Sequence, residues 1–87
     1  MTRDEIKGEI KNIISVIAPD EDVNSVADDQ ILREHLELDS MDFLDIMMEL
    51  RKRYKIEVPE DDYKHFATLA GSADYLTPML SEVPAPN

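Results

Sequence analysis

Cysteine and tryptophan are both absent from the 87 residues, and glycine occurs only twice. Without cysteine there is no disulfide framework, no thiol nucleophile and no zinc-thiolate site. Three Tyr and two Phe are the only aromatics, and scarce glycine with few aromatics argues against a sandwich or barrel. No apolar run approaches membrane-spanning length, and no apolar signal region follows residues 1–6, so a cytoplasmic location without membrane insertion is expected. Cations are scarce too: nine Lys and Arg against twenty Asp and Glu leave a net charge of −11. Such a field repels nucleic acid and anionic lipid and steers toward basic protein patches. A chain of this size suits one small monomeric domain, placed at residues 1–80, with a flexible Pro-rich tail over 81–87.

What is present reads as helix. Thr2 and Glu5 form a capping box, and Ile6, Ile10, Ile13, Ile14 and Ile17 recur at helical spacing until Pro19 stops the run near Ala18. Residues 19–39 form a long acidic connection. Val23, Val26, Ile31, Leu32, Leu36 and Leu38 are expected to pin it, and Asp29 to cap a short turn over 30–35. A second helix runs from Met41 to about Arg53 or Tyr54. Phe43, Ile46, Met47, Leu50 and Tyr54 share one face of it; Met41, Leu44 and Met48 form a second apolar stripe flanked by Asp42, Asp45 and Glu49. Either this stripe contacts partners, for which methionine is well suited, or the long loop covers it as extra core. Pro59 starts a short third helix anchored by Tyr63 and Phe66. Thr68 caps a last one carrying Leu69, Ala70, Ala73 and Leu76, which Pro78 is expected to end or bend. The predicted architecture is all-α, a four-helix bundle with a long first loop and a short third helix.

Most candidate chemistry fails on spacing. Asp20, Asp22, Asn24 and Asp28 hint at a calcium loop, but Ser25 and Ile31 stand where glycine and a closing glutamate are required. His35 and His65 have no His or Cys partner at ligand spacing, so no metal site is expected. His35, Asp39 and Ser40 suggest a hydrolase triad, yet no Gly-x-Ser-x-Gly elbow exists and no catalytic residue is expected. Arg51, Lys52, Arg53 and Lys55 close the second helix, where cations complement its dipole.

Ser40 remains. It lies where the acidic stretch meets the second helix, beside free N–H groups that stabilise an attached anion. A serine there commonly serves only as a cap, but Asp39 precedes it and can do the capping. Phosphorylation by a kinase would exploit the same geometry.

Three ordered blocks carry a family resemblance. Leu38-Asp39-Ser40-Met41-Asp42-Phe43-Leu44-Asp45 resembles the attachment signature of acyl carrier proteins, with Met41 at the usual leucine. Tyr54-Lys55-Ile56-Glu57-Val58-Pro59-Glu60-Asp61 is similar to the family's aromatic, then Glu-Ile-Pro-Asp segment. Thr68-Leu69 with Ala73-Asp74-Tyr75-Leu76 is similar to its closing Thr-Val helix. The resemblance implies that Ser40 bears 4′-phosphopantetheine, placed there from coenzyme A by a phosphopantetheinyl transferase using magnesium. The arm's thiol would then hold an acyl group as a thioester for fatty acid, polyketide or related lipid synthesis. It implies an acyl cavity among Phe43, Ile46, Met47, Phe66 and Leu69. It also implies recognition through Asp39, Met41, Asp42, Leu44, Asp45 and Met48 by acyl-loading and acyl-processing enzymes with basic patches. Glu37 stands where many members have glycine, and Arg51, Lys52 and Arg53 replace acidic residues of housekeeping carriers. The rival readings are a peptidyl or aminoacyl carrier, and an unmodified acidic adaptor docking through Met41, Leu44 and Met48.

Overall fold

The computed structural model describes residues 1–84, and every described element is a helix or a connection. Helix α1 spans Arg3–Ile17. Thr2 Oγ1 accepts from Glu5 N at 3.2 Å while Glu5 Oε1 accepts from Thr2 N at 2.8 Å, completing the expected capping box. Ile6, Ile10, Ile13 and Ile14 are buried along one stripe. The helix stops at Ala18, whose N–H reaches Ile14 O, because Pro19 has no N–H with which to continue.

The long connection is packed rather than loose. It contains the 3-10 turn Val23–Ser25 and the short helix α2, Leu32–His35. Val23, Val26, Leu32, Leu36 and Leu38 are buried as expected, whereas Ile31 is 40% exposed. Ile31 occupies the N-cap of α2, where the backbone is extended and its side chain leaves the apolar row. The cap expected from Asp29 is not made: α2 has no side-chain cap, and Gln30 Oε1 instead accepts from Ala27 N at 2.7 Å. Two further bonds tie the connection down. Lys7 Nζ meets Asp28 Oδ2 at 2.6 Å, which holds the Asp28 carboxyl below its ordinary range, and Ala70 N donates to Asp28 O at 3.0 Å.

Helix α3, Ser40–Tyr54, buries Phe43, Ile46, Met47 and Leu50. Its stop is Lys55 in the left-handed region at φ 58°, with Lys55 N donating to Arg51 O. An extended link leads through Pro59 into the 3-10 helix Glu60–Ala67, which drives Phe66 into the core and leaves Tyr63 half-buried. Thr68 then caps α4, Leu69–Leu80, by accepting from Gly71 N at 2.9 Å. Gly71 allows this junction: a Cβ there would collide with the His65 carbonyl oxygen. Helix α1 packs on α4 and α3, and the Glu60–Ala67 helix packs on α4. The result is the all-α four-helix arrangement with a short third helix and a long first connection.

At the C-terminal end α4 continues past the proline expected to end or bend it. Pro78 does not end α4, which runs to Leu80. So near the end, proline forfeits a single backbone bond, and buried Leu80 anchors the last turn. The Met1 amine donates to Leu80 O at 2.6 Å and also to Val83 O, while Val83 packs against the core. Val83 is thus held to the domain, while Ala85, Pro86 and Asn87 of the tail expected over 81–87 lie outside the described residues.

Candidate functional site around Ser40

Ser40 is the first helical residue of α3, and it is exposed. The cap is made by its neighbours. Asp39 Oδ1 accepts from Asp42 N at 2.9 Å, and Asp42 Oδ2 accepts from Asp39 N at 3.1 Å. This reciprocal box leaves the Ser40 hydroxyl without a capping task, and no hydrogen bond engages it among the described residues. The backbone N–H groups of Ser40 and Met41 begin the helix and have no intrahelical acceptor. The site thus offers a free hydroxyl at a capped helix start.

Two grooves run along α3 on the side of the Glu60–Ala67 helix. One, about 360 Å³, includes Ser40, Phe43 and Leu44 on one wall and Glu60, Tyr63, Lys64 and Ala67 on the other, with Arg33 at its edge. The second, about 550 Å³, lies farther along α3 between Leu44, Met47 and Met48 and the segment Ile56, Glu57, Val58 and Pro59. Leu44 and Tyr63 line both and mark the divide. Of the five cavity residues expected from sequence, Phe43 lines the first groove and Met47 the second. Ile46, Phe66 and Leu69 are almost fully buried in the core and line neither.

The second stripe of α3 is uncovered: Met41 is 66%, Leu44 42% and Met48 67% exposed. The loop offered as its alternative cover sends its apolar residues other than Ile31 into the core instead. Asp39 and Asp45 are also exposed, and Asp42 is half-buried within the capping box. At the other end of α3, Arg53 donates to buried Glu9 at 2.6 Å and to Glu49 at 3.0 Å, and Arg51 lies 3.4 Å from Glu57. Glu9 holds the Arg53 guanidinium above its ordinary pKa; burial, reinforced by Glu9, pushes the Tyr54 phenol up to about 12. Sequence reading missed Arg33, Lys64 and the groove role of Tyr63. Their one signal was a cation standing within an acidic segment, and nothing in the order of residues joins positions 33 and 64.

Among the described residues no cluster of three His, Asp or Glu side chains suited to a metal ion occurs, and no helix is long and apolar enough to cross a membrane.

Comparison with known proteins agrees with this geometry. A family model described as "Phosphopantetheine attachment site" matches residues 5–76. An acyl carrier protein of Brachyspira hyodysenteriae is 32% identical over 73 residues, covering 84% of this chain and 88% of the relative. One from Rubrobacter xylanophilus is 31% identical over 77 residues, covering 87% and 93%. The solved acyl carrier protein from Enterococcus faecalis superposes with a TM-score of 0.70 at 25% identity, covering 90% of this chain and 98% of that one. A match across the helices, the connection and the Ser40 segment, together with relatives above 30% identity over most of their length, leads to one conclusion: the chain belongs to the acyl carrier proteins, a family whose members carry 4′-phosphopantetheine covalently on a serine.

Proposed function

We propose that Ser40 is the attachment serine and that the protein carries acyl intermediates between biosynthetic enzymes of a fatty acid, polyketide or related lipid pathway. The observation that carries this reading is the free, exposed Ser40 hydroxyl at the start of α3, relieved of capping by Asp39 and Asp42 and opening on a partly apolar groove. In the attachment step Ser40 Oγ bonds to the phosphorus that bears the pantetheine half of coenzyme A. The pyrophosphate bond breaks, the adenosine bisphosphate half leaves, and the hydroxyl proton passes to a base of the transferase. When bound, the arm supplies the thiol that this chain lacks and holds the acyl group as a thioester. The chain's own residues do no catalysis: they present, shelter and are recognised.

Recognition is assigned to Met41, Leu44 and Met48 with Asp45 beside them. Carboxylates speed encounter with Lys/Arg patches, and exposed methionines complete a short-lived contact. A monomer in the cytoplasm, with residues 1–80 as one carrier domain, fits this shuttle role. Arg33 and Lys64 along the groove support acyl over aminoacyl cargo, because they repel the ammonium group of an aminoacyl thioester.

The test is intact-mass spectrometry after incubation with coenzyme A, magnesium and a broad-specificity phosphopantetheinyl transferase. One arm is expected on the wild type and none on Ser40→Ala. The exposed stripe also favours a second reading, an unmodified adaptor, for which Ser40→Ala would leave partner binding intact.

A further inference from the structure

The corner of the molecule that holds Ser40 is crowded with negative charge before anything is attached. Asp39 and Asp42 both place carboxylates at the N-terminus of α3, so the positive end of the helix dipole is already answered. A phosphodiester on Ser40 Oγ adds a further anion at that point, and free N–H groups alone oppose the repulsion weakly.

Two cations stand in the same place. Arg33, from α2, and Lys64, from the Glu60–Ala67 helix, line the groove that includes Ser40. Unlike Arg3, Lys7, Arg51 and Arg53, neither forms an ion pair among the described residues. The Arg33 guanidinium lies over the Phe43 ring, 5.8 Å from its centroid, a cation–π contact that does not consume its N–H donors. Lys64 adds a mobile point charge on the facing wall. Glu60 lines the groove as well and opposes them.

We propose that Arg33 and Lys64 form a two-cation seat for the phosphodiester that joins the arm to Ser40, and that the seat turns the arm into the groove walled by Phe43, Leu44, Tyr63 and Ala67. The inference rests on the reading of Ser40 as the attachment serine. Arg33 offers a planar fork of donors suited to a phosphate, and the apolar walls receive the hydrocarbon part of the arm. Glu60 weakens the seat, so its removal strengthens it.

The test compares wild type, the double variants Arg33→Ala/Lys64→Ala and Arg33→Gln/Lys64→Gln, Glu60→Gln, and Lys52→Ala as a cation control away from the groove. Each is first shown by intact mass to carry one arm; a wild type that accepts none sinks the attachment reading and this inference with it. On arm-bearing chains the seat is tested alone, through the phosphorus-31 resonance of the phosphodiester. The expected wild-type line is broader than, and displaced from, that of both double variants. Lys52→Ala should coincide with wild type, and Glu60→Gln should move farther from the double variants. Raising ionic strength from about 0.01 M to about 1 M shortens the Debye length from about 30 Å to about 3 Å and should bring the wild type toward the double variants. Coincident resonances in wild type and in double variants that retain helical circular dichroism overturn the seat. A cargo carboxylate is the other source of anionic oxygen for these cations. Loading the thiol with glutaryl or hexanoyl groups separates the two: the seat predicts the same displacement with a free thiol and with either acyl group. A displacement confined to the glutaryl form assigns the cations to cargo and overturns the proposal.

Discussion

The two ends of α3 are built on opposite plans. At its N-terminal end Asp39 and Asp42 satisfy one another, and Ser40 stands exposed between them with an open groove alongside. At its C-terminal end Arg53 reaches across to Glu9, only 5% exposed on α1, beside the half-buried Tyr54. One end satisfies its backbone locally and leaves its serine free; the other spends its side chains on anchoring the helix. A carrier needs both, because an attachment point is useful to many partners only if the helix presenting it does not shift. The difference teaches that anchoring the helix and presenting a free hydroxyl belong to separate residues of α3.

The comparison breaks most completely at the serine. Ser40→Ala should abolish arm addition, read by intact mass, while urea unfolding shifts by less than about 0.5 kcal/mol, as for surface substitutions outside special contacts. A large loss of stability would mean that the hydroxyl has a structural task.

Arg53→Ala should behave in the opposite way. It leaves the Glu9 carboxylate buried without its partner, and loss of one member of such a pair costs about 3 kcal/mol. Arm addition to the remaining folded protein should continue. A midpoint in urea unchanged from wild type would show that Glu9 reaches water without the pair.

The approach to Ser40 offers a smaller test with the reverse sign. Glu37 is held at φ 52°, a left-handed conformation that glycine adopts without steric cost. Glu37→Gly should therefore stabilise the fold by about 1 kcal/mol, measured by urea unfolding, with arm addition intact. A destabilised variant would show that the Glu37 side chain makes up for its backbone strain.

Alkaline titration sharpens the anchored end, with the smallest effect. The Tyr54 phenol is raised from 10.0 to about 12 in the folded protein, so its contribution to stability is complete below pH 10 and is lost as pH climbs through 12. Tyrosinate absorbance compared between wild type and Tyr54→Phe should show the Tyr54 phenol ionising late, with a small loss of urea stability over the same interval. A Tyr54 that ionises near pH 10 with the helices intact would separate the phenol from the anchor.

Much of this was legible in the residues. The Thr2–Glu5 box, the isoleucine row of α1, the stop at Pro19, the Asp39 cap and the Thr68 cap all stand where sequence reasoning placed them. Each is decided within about one helical turn by a side chain and the backbone next to it. The errors have a common origin. Ile31 and Asp29 were judged by residue type, but the turn around Gln30 set their directions. Pro78 was judged by its local cost, but buried Leu80 and the Met1 amine hold the turn beyond it.

By itself, then, the sequence determined the helices, the caps of the three long ones, the serine at the head of α3 and the family, because these depend on neighbours three or four residues apart and on short ordered motifs. Tertiary structure alone decided that Arg53 finds Glu9, that the methionine stripe stays uncovered, and that Arg33 and Lys64 share a groove with Ser40. The physical reason is that charge pairing and burial act through space, so their outcome is settled only when segments far apart in the chain are packed against one another.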